Sequence, residues 1–260
     1  MADILSQILA YKRKEVEATK QMMAPKVLRE MAELAYHVPV SMHEALLSSP
    51  TGIIAECKRR SPSKGEIRPM ADAGAVVSGY EDAGAAACSV LTDAAFFGGS
   101  LADLAIARRS ASLPLLRKDF IVDEYQIWQA RVFGADAILL IASALTKAEI
   151  ARFTAEAHRL GLEVLLELHG EDELSSYIPE VDMVGVNNRN LKNFVTSTDV
   201  AKRMASLLPE DAVKVAESGI KSRADLEDLR RHGFSGFLIG ETFMKTPCPG
   251  QTLKNFINEQ

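Results

Sequence analysis

The sequence predicts a closed (β/α)8 TIM barrel, an α/β fold, with a helical N-terminal extension, and three observations carry that prediction. After Gly52, eight short apolar runs alternate with longer amphipathic stretches over about 210 residues. Strands that alternate with helices are parallel, and the near-continuous apolarity of the runs says that both strand faces are buried. No G-x-G-x-x-G turn follows the first run, which separates the pattern from an open doubly wound sheet.

Each element can be justified in order. Ile4, Ile8, Leu9 and Tyr11, followed by alternating charges, make an amphipathic opening helix. Pro25 opens a second helix over KVLREMAELA, and Ser41 is placed to cap MHEALL. The eight strand candidates are IIAEC from Ile53, AACSVLT from Ala86, LPLLRKDF from Leu113, AILLIAS from Ala137, LEVLLEL from Leu162, MVGVNN from Met183, VKVAES from Val213 and GFLIG from Gly236. Between them, Thr146 and Glu149 form a capping box, and Ser222 caps RADLEDLRRHG. Gly134, Gly161 and Gly233 sit just past helical patterns, where a left-handed residue closes a helix. Nothing reads as a linker, so residues 1–260 are expected to form one domain, with 1–50 packed on the barrel as its extension.

Composition narrows the function. The net charge of −5 gives no global attraction for nucleic acid or an anionic membrane, so any anion must be bound locally. Cys57, Cys88 and Cys248 are far apart and lack ligand-spaced histidines, which argues against a disulfide framework or a metal site. The N-terminal segment lacks the apolar stretch of a signal peptide, and no apolar run approaches the ~20 residues of a membrane span. A soluble cytoplasmic protein, monomer or weak homodimer, is expected.

The strand ends point to chemistry. Strand one ends in Glu56-Cys57-Lys58, strand three in Lys118-Asp119-Phe120, strand five in Glu167, strand six in Asn187-Asn188-Arg189 and strand seven in Glu217-Ser218-Gly219. Side chains alternate faces along a strand, so Glu56 shares a face with Lys58, Lys118 with Phe120, and Asn187 with Arg189. If that face is the interior, these groups converge at the C-terminal mouth, where barrel enzymes carry their chemistry. Any one of them is also what a strand surfacing into a loop produces; five strands with one geometry are not. After strands seven and eight come Ser218-Gly219-Ile220 and Gly240-Glu241-Thr242, the positions of this fold's recurrent phosphate site. Ser61, in the loop after strand one, adds a hydroxyl on the same side, whereas Arg60 and Arg68 read as solvated loop. Asp119, alternating away from Lys118, reads as structural. So do Trp128 and Phe133, and His169 reads as a satisfied loop histidine.

The motifs AECKRRSPSKG (55–65), SVLTD (89–93), FGGS (97–100), RKDFI (117–121), VGVNNR (184–189), AESGI (216–220) and FLIG (237–240) closely resemble the monofunctional indole-3-glycerol phosphate synthase family. They run in order through nearly all of the chain after residue 50. The resemblance implies closure of 1-(2-carboxyphenylamino)-1-deoxyribulose 5-phosphate to an indole in tryptophan synthesis, without cofactor or metal. Carried over by motif, Lys118 corresponds to the general acid. Glu167 and Glu56 correspond to the catalytic carboxylates, and Lys58 to a second catalytic lysine. Asn187 corresponds to a group holding hydroxyls or a carboxylate, with Arg189 and Glu217 near the substrate. Ser218, Gly219, Gly240 and Glu241 would cradle phosphate, with Ser61 close by, and Phe120 would line the aromatic pocket. This chain has Asn190 where many relatives have aspartate, and Phe97 where many have tyrosine. Rival readings are a phosphoribosylanthranilate isomerase using a cysteine and aspartate, a Schiff-base aldolase on Lys118 or Lys214, and a non-catalytic phosphometabolite-binding barrel. Cys57 alternates outward, against the first, and paired acid/base groups are more than binding requires, against the last.

Overall fold

The computed structural model of the chain describes residues 3–190 and 194–259. Eight parallel strands close into a barrel: β1 (Ile53–Cys57), β2 (Ala87–Leu91), β3 (Leu115–Lys118), β4 (Ala137–Ile141), β5 (Glu163–Leu168), β6 (Met183–Asn187), β7 (Val213–Glu217) and β8 (Gly236–Ile239). Each pairs with its neighbour in the chain, and β8 closes on β1 with Phe237 opposite Ile53. All eight apolar runs are strands of this one barrel. Alternation sorts their side chains. Ile54, Leu116, Leu139, Leu165 and Val215 fill the interior, while Ala55, Leu115, Ile138, Val164 and Phe237 face the surrounding helices.

Local signals set the helix ends. Thr146 with Glu149 and Ser222 with Asp225 form capping boxes on Lys147–Arg159 and Arg223–Arg231. Gly134, Gly161 and Gly233 take φ of 85°, 76° and 90°, a region that glycine enters without a Cβ clash.

The extension comprises helices Ile4–Met22, Pro25–Glu33 and Met42–Ser48. The last plugs the N-terminal end of the barrel, with Met42 and Leu46 packed against Ile54, Met183, Val213 and Val215. The barrel holds the start of this helix in turn. The Glu163 carboxylate accepts hydrogen bonds from Ser41 Oγ (2.5 Å), Met42 N (2.7 Å) and His43 N (2.9 Å), where the helix dipole favours an anion.

The first helix differs from its sequence reading. Its buried face is Ile8, Leu9, Lys12 and Val16, and Tyr11 is 47% exposed, edge-on to Phe96. Lys12 is fully buried, with Nζ 2.9 Å from Asp93 and 3.0 Å from Asp119. Asp119 also accepts from Thr92 Oγ1 (2.5 Å) and Arg117 Nη2 (2.9 Å), which makes it a structural residue. Among the described residues, no helix is long and apolar enough to cross a membrane.

Candidate active site

A cavity of about 440 Å³ opens at the C-terminal ends of the strands. The last inward-facing residues of the strands build its floor: Glu56 on β1, Leu91 on β2, Lys118 on β3, Asn187 on β6, Glu217 on β7 and Leu238 on β8. The alternation that fills the interior with apolar side chains thus gathers the lysine and carboxylate groups of the cavity at the C-terminal end.

Charge is concentrated at the centre of this floor. Lys118 Nζ lies 2.6 Å from Glu167 Oε2 and 2.6 Å from Glu217 Oε2. Burial disfavours the Lys118 ammonium, but Glu167, Glu217 and Glu56 together outweigh burial and hold its pKa above the usual lysine range. Burial also pushes Glu167 up, yet Lys118 and then His169 hold it well below the usual carboxylate range. Glu217 moves the other way: burial, then the neighbouring Glu167, raise it to about 8. Like charges in one dry site do not both ionise, so at neutral pH the pair holds one proton between them, and the opposite directions of the two shifts bias it toward Glu217. The trio is then an ammonium, a carboxylate and a carboxylic acid. Beside it, Lys58 is ion-paired to Glu56.

The rim joins three loops. Arg189 Nη1 donates to Ser63 Oγ at 2.6 Å, and its Nη2 lies 3.4 Å from Glu241 Oε2. Lys64 Nζ lies 3.3 Å from the other oxygen of Glu241, and Asn187 Oδ1 accepts from the Arg189 backbone N–H at 3.0 Å. Across the cavity, Ser218 and Gly219 have φ of 64° and 79°. For the serine that conformation costs roughly 1–2 kcal/mol. A Cβ on Gly219 would stand 2.7 Å from Thr196 Cγ2, and one on Gly240 would stand 2.2 Å from Glu56 Oε1. Glycine at 240 therefore leaves room for the Glu56 carboxylate.

Ten of the residues singled out in the sequence line the cavity together: Glu56, Lys58, Lys118, Asn187, Arg189, Glu217, Ser218, Gly219, Gly240 and Glu241. Three stand behind its wall. Glu167 reaches it through Lys118. Ser61 is buried, with Oγ 3.5 Å from that of Ser63, which does line the cavity. Phe120 packs against Phe97 with centroids 6.0 Å apart, and Phe97 forms the wall. The sequence places Ser63 and Lys64 on this side only as part of the loop after strand one, takes Phe97 only as a difference from relatives, and reads His169 as a satisfied loop histidine. The first two lie in the loop already marked by Ser61, and FGGS held the signal for Phe97.

Cys57 is buried and turned outward, its thiol pushed by burial up to about 12, which does not suit it to serve as a base. Lys214 lies between the inward-facing Val213 and Val215, on the outer face of β7. Arg60 and Arg68 donate to the backbone carbonyls of Ala94, Ala95, Thr246 and Pro247. Trp128 donates to Glu156 at 2.6 Å, a packing role. Among the described residues, no group of three or more His, Cys, Asp or Glu side chains is arranged to hold a metal ion.

A closed parallel barrel with lysines and carboxylates gathered at its C-terminal mouth defines the class: a (β/α)8-barrel enzyme. The family model for indole-3-glycerol phosphate synthase matches residues 5–256. An indole-3-glycerol phosphate synthase of Bacteroides thetaiotaomicron is 52% identical over 99% of this chain and 98% of its own length. One from Neisseria meningitidis is 48% identical over 94% of this chain and 95% of its own. The chain belongs to the indole-3-glycerol phosphate synthase family, carboxy-lyases of tryptophan biosynthesis. Solved structures add the fold alone. A thiamine phosphate pyrophosphorylase from Pyrococcus furiosus superposes with a TM-score of 0.60 at 13% identity, covering 84% of this chain and 96% of its own. A chain of the tryptophan synthase complex from the same organism gives 0.58 at 14% identity, covering 80% of this chain and 97% of its own.

Proposed function

We propose that the chain closes 1-(2-carboxyphenylamino)-1-deoxyribulose 5-phosphate to indole-3-glycerol phosphate, releasing CO2 and water. It works in the cytoplasm as a monomer or weak homodimer, with no nucleic-acid or membrane partner. The observation that carries the reading is the Lys118 ammonium at the cavity floor, 2.6 Å from both Glu167 and Glu217.

The reaction needs two proton donations and one proton abstraction, and the trio supplies two donors and a base. Lys118 gives a proton to the ketone oxygen as the carboxyl-bearing ring carbon bonds to the ketone carbon. Loss of CO2 leaves its bonding pair to the ring and restores aromaticity. The new hydroxyl then departs as water on the proton of Glu217, while Glu167 takes a proton from the methylene beside nitrogen to complete the indole. Lys58, steadied by Glu56, pairs with the substrate carboxylate, and Asn187 holds its hydroxyls. Ser218, Gly219, Gly240 and Glu241 offer backbone N–H groups to the phosphate, with Ser61 and Arg189 near that end. Phe97 and Phe120 flank the aromatic ring.

Lys118→Met is expected to lower kcat about 10²- to 10⁴-fold, the scale of a lost general acid, and to leave KM within a few-fold. Steady-state kinetics check this, and unchanged turnover removes Lys118 from its role.

A further inference from the structure

Glu167 has two oxygens, and only one faces Lys118. Its Oε1 lies 3.1 Å from His169 Nε2, and the other ring nitrogen, Nδ1, lies 3.6 Å from Glu173 Oε2. His169 follows β5 by one residue, and its own backbone N–H donates to Glu173 at 2.8 Å. The side chain is 11% exposed. The ring thus sits between two carboxylates, with one nitrogen toward each.

We infer that His169 is a positioning residue: wedged between Glu167 and Glu173, it fixes the Glu167 carboxylate so that its second oxygen stays on Lys118. Burial alone would discharge the imidazole, but Glu167 and Glu173 outweigh it and raise its pKa to about 10. The charged groups around the shared proton are then Lys118 and His169 on the cationic side, and Glu56, Glu167, Glu173 and Glu217 on the carboxyl side. His169 biases the shared proton toward Glu217 rather than Glu167, and as a cation it also eases loss of that proton from the pair as a whole.

Withdrawing that cation makes the carboxyl pair harder to deprotonate. In His169→Ala, kcat is expected to fall about 10- to 100-fold, the scale of a misplaced catalytic group, with KM within about twofold of the unaltered enzyme. The alkaline limb of kcat/KM, which reports the free enzyme and to which the Glu217 proton contributes near pH 8, should move up by about one pH unit. His169→Gln keeps bulk and a donor but no charge; it guards against a folding failure of the alanine variant and should move the limb in the same direction. A limb that stays in place in the folded variant overturns the inference, whatever happens to Tm or kcat, because packing alone would not tune the carboxyl pair. The inference rests on Glu167 acting as the base, so Glu167→Gln is assayed beside it. Turnover retained in that variant, or absent from the unaltered enzyme, overturns both readings. Turnover lost there, with an unmoved limb in the His169 variants, overturns this one alone.

Discussion

Glu217 is one residue asked to meet two opposing demands. Its side chain sits in the barrel wall, with Oε1 packed so closely over Gly185 that a Cβ there would come within 2.4 Å. That oxygen is buried without a hydrogen-bond partner, the kind of uncompensated polar group that stability alone would remove. A sign follows for pH. Between its ordinary value of 4.5 and about 8, the folded protein keeps a proton on Glu217 that the unfolded chain has released. Stability from this group is therefore complete below pH 4.5 and is lost as pH rises through about 8. Glu217→Gln cannot ionise, so its Tm should gain on that of the unaltered protein between about pH 6 and about pH 9, by at least about 3 °C. Thermal unfolding at the two pH values checks this, and an equal Tm difference at both contradicts it. The carboxylate of Glu217 was legible at a strand end. Its protonated state was not, because that depends on Glu167, fifty positions earlier in sequence and on another strand.

The elements divide in a similar way. Eight strands were legible because burial on both faces imposes continuous apolar runs, and helix ends were legible because capping chemistry is local. Lys12 was not. A lysine among alternating charges, with Glu15 3.0 Å away at i+3, reads as a solvated face, and its buried partners Asp93 and Asp119 come from distant segments. Its i±4 neighbours Ile8 and Val16 held the only local signal. His169 was passed over for a related reason: its meaning lies in how β5 and the following turn bring two carboxylates to one ring. Lys12 ties the extension helix to the end of β3, one residue from Lys118. Removing one partner of a buried charge cluster leaves the others uncompensated, at a cost of about 3–5 kcal/mol. Lys12→Met is therefore expected to lower Tm by about 6 °C or more. A fall of less than about 2 °C would mean that Arg117 and Thr92 alone satisfy Asp119.

Over the whole molecule, one end of the barrel is closed and the other is left to chemistry. The N-terminal end is plugged by Met42 and Leu46, and the C-terminal end keeps a cavity of about 440 Å³ ringed by lysines, carboxylates and glycines. The fold and its polar mouth follow from pattern; the particular ring closure follows from the ordered motifs and the family. The measurement that bears most directly on the account is to add the carboxyphenylamino-deoxyribulose phosphate to the purified protein and follow indole fluorescence. Fluorescence rising until the substrate is consumed, with folded Lys118→Met slower by about 10²- to 10⁴-fold, is the predicted result. A folded, unaltered protein that binds the substrate and yields no indole would contradict it.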